Sequence, residues 1–227
     1  MVLKALEYVR VKWERMFVSR ADAIARERRW EVVDRRTYAY LLGCYLGDGN
    51  ITHKPPGTWT LRIACDGLYP DIQTEIARAI AVTFDGSRVC IRPYMHGAAN
   101  IVSITHPAVG RAFQQHGPGR KHARPIVLEG WQKTITHEHP SALIRGLIHS
   151  DGCRCLNRFK TKLPSGRVAE YAYVRYFFSN LSSDIRAIFV EHCELLGIRV
   201  TQPNHRNLAV SHRASVAILE RLVGPKT

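Results

Sequence analysis

Leu41-Leu42-Gly43-Cys44-Tyr45-Leu46-Gly47-Asp48-Gly49 has a counterpart later in the chain, Ile144-Arg145-Gly146-Leu147-Ile148-His149-Ser150-Asp151-Gly152. Each stretch reads as an apolar helix with small residues four apart, ending in Asp-Gly. Gly43 and Gly47 share one helical face, as do Gly146 and Ser150, because residues four apart lie one above the other. Small residues at that spacing let two helix backbones approach closely. Packing the two helices on each other would bring Asp48 and Asp151 side by side at one end. Two carboxylates that close repel, and a shared divalent cation resolves the clash.

A wider repeat surrounds these phrases. Leu61 to Ile72 aligns without a gap to Val174 to Ile185. Both segments open with strand alternation and close on a helix start, with Asp71, Ser182, Ser183 and Asp184 as caps. Helical patterns follow over Ile72 to Thr83 and Ile185 to Leu196. Two short β-rich runs come next in each half: Arg88 to Arg92 with Asn100 to Thr105, and Arg199 to Gln202 with Asn207 to His212. Helices over Pro107 to Gln115 and Ala214 to Val223 close the halves. The spacing therefore predicts an α+β protein of two pseudo-symmetric αββαββα repeats. Thr37 and Ser141 are the expected N-caps of the two phrase helices. Leu61, Ile63 and Cys65 should face the core, with Thr58, Thr60, Arg62 and Ala64 opposite. Val174, Tyr176 and Phe178 should be buried, with Tyr171, Tyr173, Arg175 and Phe177 exposed.

The paired phrase resembles the signature of the LAGLIDADG homing endonucleases, in the single-chain form with two copies and closest to free-standing bacterial members. Both copies keep the third-position glycine and the final Asp-Gly. Leu46 and His149 replace an acid at the sixth position, which is not the family's metal ligand. The resemblance covers about residues 37–227. It divides the chain into a basic helical extension (1–36), a first repeat (37–124), a connector with a short helix around Val127 to Ile135 (125–140) and a second repeat (141–227). Within the extension, Ser19 to Glu27 faintly resembles part of a helix-turn-helix, and a packing or linker helix is the better reading.

Composition agrees with a polyanionic partner. The chain has 227 residues, with 33 Lys and Arg against 19 Asp and Glu, a formal charge of +14. Such an excess on a globular chain points to nucleic acid. No apolar run approaches the roughly 20 residues of a membrane span, and the N-terminus lacks the features of a signal peptide. The six cysteines have no disulfide-scaffold spacing and read as reduced thiols of an intracellular protein; the resemblance to free-standing bacterial members implies a bacterial cytoplasm. His149, Cys153 and Cys155 fit no standard zinc spacing.

Two β-sheets around the helix pair would form a saddle for the major groove of double-stranded DNA. Thr58, Thr60, Arg62, Arg88, Arg92, Tyr173, Arg175 and Arg199 are the expected contacts from the strands. Asn100 and Asn207 suit adenine edges. Arg154, Arg158, Lys160 and Lys162 suit phosphates. The resemblance implies a monomeric, site-specific endonuclease using two or three Mg²⁺ ions, with Mn²⁺ or Ca²⁺ able to substitute in binding. It assigns the ions to Asp48 and Asp151, helped by the carbonyls of Gly47 and Ser150. It places Lys121 and Lys226 nearby as water-ordering or charge-offsetting groups, and Asn180 at a water-orienting strand end. Asp66 or Gly67 is the first-half counterpart of Asn180; Gly67 has no side chain, so the half-sites should be unequal. A non-catalytic DNA-binding regulator and an intron RNA maturase are the competing readings.

Overall fold

The structure is a computed structural model, described here for residues 30–54 and 57–224. The first half runs α1 (Arg35–Asp48), β1 (Gly49–Lys54), β2 (Thr58–Asp66), α2 (Pro70–Thr83), β3 (Cys90–Tyr94), β4 (Ala99–Thr105) and a single turn, α3 (Val109–Ala112). A connecting helix α4 (Gly130–Glu138) leads to the second half. That half runs α5 (Pro140–Asp151), β5 (Gly152–Lys162), β6 (Val168–Ser179), α6 (Ser183–Leu195), β7 (Asn207–Val210) and α7 (Arg213–Val223). The α+β repeat architecture expected from the sequence is present.

α1 and α5 pack along each other and form the centre of the core. Tyr38 to Leu46 are buried without interruption. A helix buried on all sides needs no polar face, which is why α1 is not amphipathic. The glycines set the separation of the pair. A Cβ added at Gly43 would lie 2.5 Å from the carbonyl oxygen of Leu143 and 3.0 Å from the Cα of Gly146. One added at Gly146 would run into the carbonyl oxygen of Tyr40. The buried Tyr38 hydroxyl in this layer is satisfied: it donates to Ala112 O at 2.6 Å and accepts from Gln132 at 2.8 Å.

The caps differ from expectation. Asp34, not Thr37, caps α1, accepting from the Thr37 backbone N–H at 2.9 Å and its hydroxyl at 2.7 Å. A carboxylate one turn earlier serves two donors, where a threonine at that place would serve one. α5 begins at Pro140 rather than at a Ser141 cap, since proline's fixed φ and missing N–H suit the first helical position. Ser182 caps α6 as expected. The connector helix starts later than Val127, at Gly130, where Glu129 and Gln132 form a capping box.

The first sheet has the order β1-β2-β4-β3 and the second β5-β6-β7, all antiparallel. The fourth strand expected over Arg199 to Gln202 is reduced to one bridge, Thr201 to Ala209. Pro203 follows at once and has no N–H to continue the ladder. The helix expected over Pro107 to Gln115 is only the four residues of α3, because Phe113 already leaves helical geometry. The strand alternation holds: Leu61, Ile63, Cys65, Tyr176 and Phe178 are buried against helices, while Thr58, Tyr171 and Tyr173 are exposed. The reading of residues 1–29 as basic helices lies outside the described residues, apart from Trp30. Trp30 is buried, and its indole donates to Thr83 O at 2.9 Å.

Candidate nuclease centre and nucleic-acid interface

Both phrase helices pass into a strand with no intervening loop. Asp48 and Asp151 are the last helical residues, and Gly49 and Gly152 open β1 and β5. Each glycine N–H still bonds back into the helix, to Tyr45 O and Ile148 O. The reversal is tight: a Cβ on Gly49 would lie 2.6 Å from the Tyr45 carbonyl oxygen, and one on Gly152 2.5 Å from that of Ile148. Glycine after each aspartate is thus a steric requirement. It aims the aspartate out of the core at the foot of its own sheet.

The two aspartates stand at the same end of the helix pair. A Cβ on Gly47 would meet the Ser150 side chain and lie 3.1 Å from Asp151 Oδ2. Asp48 is exposed and lines one end of the groove over the first sheet. Asp151 is half-buried and accepts from the Asn180 amide at 2.6 Å. The Asn180 carbonyl oxygen accepts from the Ser182 backbone at 2.8 Å, which fixes the amide with its nitrogen toward Asp151. In the first half Gly67 stands at the matching place, and Asp66 accepts from Leu68 N instead. Gly67 packs so closely on the Gly97 carbonyl that a Cβ would lie 2.7 Å from its oxygen.

Lys121 comes to the same place from the segment after α3. Its ammonium donates to the carbonyls of Tyr45, Leu46 and Gly47 at 2.6, 2.7 and 2.6 Å. A cation on the orphan carbonyls of a helix C-terminus is favourable in hydrogen bonding and against the helix dipole. Burial pulls its pKa down to about 8, against the opposing pull of Asp151 and Asp48. Lys226 lies outside the described residues.

The donors at this end are oxygens: two carboxylates and helix-terminal carbonyls, the ligand type that hard divalent cations take. Lys121 already sits on Gly47 O, so a divalent cation there would draw chiefly on the two carboxylates. The residues present fit a divalent cation. Among the described residues there is no group of three or more His, Cys, Asp and Glu suited to a metal, so two carboxylates would hold the ion together with carbonyl, water or substrate phosphate oxygens. Ser150 Oγ donates within its own helix, to Gly146 O and Leu147 O at 3.0 Å each. His149 is buried, with Nδ1 3.0 Å from the Tyr40 hydroxyl, and belongs to the interhelical packing. All six cysteines are free. Burial holds Cys44 and Cys193 well above the usual thiol range and pushes Cys65 up to about 12.

The open face of the first sheet gathers Thr60, Arg62, Arg88 and Arg92 into one groove with Asp48. Thr58 follows by strand alternation. Asn50, Ser103 and Thr105 line it too and were missed from the sequence; they follow once the register places Asn50 and Ser103 on either side of Arg62. Arg62 donates to Thr52 Oγ1 at 2.7 Å, which holds it across the face. On the second sheet Tyr173 and Arg175 share the open face. Arg175 donates to Ser211 Oγ at 2.8 Å and lies over the Phe177 ring at 5.0 Å. Asn207 pairs with Ser179 on this face and accepts from its hydroxyl. Arg199 is exposed but outside any strand.

Five expected contacts lie on the other face. Asn100 pairs with Cys65, on the helix side, and donates to Gln73 of α2 at 2.8 Å. Arg154 pairs with buried Tyr176, and its Nε donates to Glu220 of α7 at 2.8 Å. The unbroken register of β5 with β6 puts Arg158, Lys160 and Lys162 on the same side as Arg154. A period of two decides the face, and composition alone could not.

No protein-family model and no curated protein matches the sequence. Solved structures do match. The fold is that of the single-chain LAGLIDADG homing endonucleases. The chain superposes on LAGLIDADG meganuclease I-AabMI bound to uncleaved DNA with a TM-score of 0.52 at 9% identity, over 82% of each chain. It superposes equally, at 0.52 and 11% identity, on homing endonuclease I-WcaI bound to its DNA recognition sequence, over 89% of this chain and 86% of that one. Among the described residues no helix is long and apolar enough to cross a membrane.

Proposed function

We propose that this protein is a site-specific, divalent-metal-dependent endonuclease that cuts both strands of duplex DNA as a pseudo-twofold monomer. The observation that carries the reading is the meeting of Asp48 and Asp151 at adjoining helix ends, at the foot of the open sheet faces. Arg62, Arg92 and Arg175 on those faces supply donors for the major groove, where arginine suits guanine edges. The +14 charge supplies the attraction to phosphates.

Asp48, Asp151 and the carbonyls of Gly47 and Ser150 would hold Mg²⁺. When bound, the metal would activate water and stabilise the leaving oxygen. The chain's own groups position and balance charge. Asn180 steadies Asp151, and Lys121 keeps a positive charge beside both acids. A regulator on the same scaffold has no need of both carboxylates, and their joint presence favours the enzyme.

The test is selection of cleaved sites from a randomised duplex library with Mg²⁺. Asp48→Asn and Asp151→Asn should each abolish double-strand cleavage of the selected site and leave its affinity within about threefold. Wild-type cleavage by either variant would sink the two-carboxylate centre.

A further inference from the structure

The two sheets are unequal in a way that the repeat does not require. β1 spans six residues and β5 eleven, in continuous register with β6. At about 3.4 Å per residue the second hairpin reaches roughly 17 Å further than the first. Its open face along that reach is aromatic. Phe159, Tyr171 and Tyr173 are 41%, 44% and 38% exposed. The rings are organised: Phe159 stacks on Tyr171 at 5.3 Å and 20°, and meets Tyr173 edge-on at 5.9 Å. In the first hairpin the open face carries threonines instead, Thr52 beside Thr60 and Thr58 near the turn. The opposite face of the long hairpin carries Arg158, Lys160 and Lys162.

An exposed apolar patch of three ordered rings calls for an occupant. It continues the face that holds Arg175, whose guanidinium lies over the Tyr173 ring at 5.9 Å, so its occupant is polyanionic with an apolar feature at the contact. In the major groove of B-DNA the thymine 5-methyl is that feature, and aromatic side chains pack on it. Resting on the reading above, we infer that the Phe159–Tyr171–Tyr173 face reads thymine methyl groups in the outer part of one half-site, which extends about five base pairs beyond the other at roughly 3.4 Å of rise per base pair. The enzyme would therefore recognise a lopsided target, with polar readout on the β1–β2 side and apolar readout on the β5–β6 side.

The experiment uses the full chain and its selected duplex. Thymidine is replaced by deoxyuridine in one outer half-site at a time, and affinity is measured with Ca²⁺. Footprinting identifies the longer half. Uridine there should weaken binding about fourfold for each contacted methyl removed; uridine in the shorter half should change it by less than twofold. In the Phe159→Ala/Tyr171→Ala variant the uridine effect should vanish and the footprint of the longer half should shorten, with the melting curve unchanged. Equal uridine effects in wild type and variant, or none in the longer half, would overturn the inference while leaving the DNA-binding reading intact. Absence of any duplex binding would overturn both. Conversion of a wild-type dimer to a monomer by the double variant, seen by sedimentation without DNA, would reassign the patch to self-association and overturn the inference.

Discussion

The Asn180 amide donates to Asp151 Oδ2 at 2.6 Å, and no side chain can do the same for Asp48 from position 67. A hydrogen bond to a charged acceptor is worth more than a neutral one. Asp151 is therefore oriented by an amide side chain that position 67, a glycine, cannot supply.

Asn180→Ala should consequently impair one strand's cleavage more than the other's. Plasmid carrying the target site should accumulate as nicked circles, with linear product slowed about tenfold or more. Equal slowing of both strands would show that Asn180 acts on the whole centre.

Gly146→Ala should destabilise the protein. In an open helix the change would gain about 1 kcal/mol of propensity. Here the new methyl meets the Tyr40 carbonyl and the Cα of Gly43. Overpacking of that kind costs about 1–3 kcal/mol, so the clash outweighs the gain. Denaturant unfolding should show a net loss, accompanied by lost cleavage as the two aspartates separate. A stable and active Gly146→Ala protein would contradict the close helix pair.

The buried ammonium of Lys121 ties stability to pH. Its folded pKa, about 8, lies below the unfolded value of about 10.4. Between those values the unfolded chain binds more protons, so stability rises with pH. Relative to Lys121→Met, wild-type protein should gain stability from about pH 8 to pH 10.5 and show no relative change between pH 6 and 7. Paired denaturation curves at pH 7 and pH 10 measure this, and an opposite sign would mean that the lysine is not held in the buried position.

The face of each basic residue should decide its effect on binding. Arg175→Ala, on the open face, should weaken specific binding by about 1–3 kcal/mol if it reads a base. Arg154→Ala removes a surface ion pair with Glu220, where such pairs are worth about 0–1 kcal/mol. It should leave both stability and DNA affinity nearly unchanged. Gel-shift titrations at two salt concentrations separate the cases. A larger loss for Arg154→Ala than for Arg175→Ala would place the interface on the helix side of the sheet.

Much of the architecture is legible in the linear pattern. Small residues four apart, Asp-Gly closures and the αββα opening of each repeat appear twice, and each has a local physical cause that a linear pattern records. Strand alternation likewise told which of Leu61, Arg62, Tyr176 and Arg175 face the core. Tertiary structure decided what depends on register and on distant partners. Asn100 and Arg154 look like nucleic-acid contacts in the sequence, but pairing sends them to Gln73 and Glu220. Lys121 stands more than seventy residues from the carbonyls it caps. Cross-strand register, not sequence spacing, brought Phe159 onto Tyr171 and left their face open. A strand's side chains change face at every residue, so one position of register decides whether a charge meets solvent or a helix.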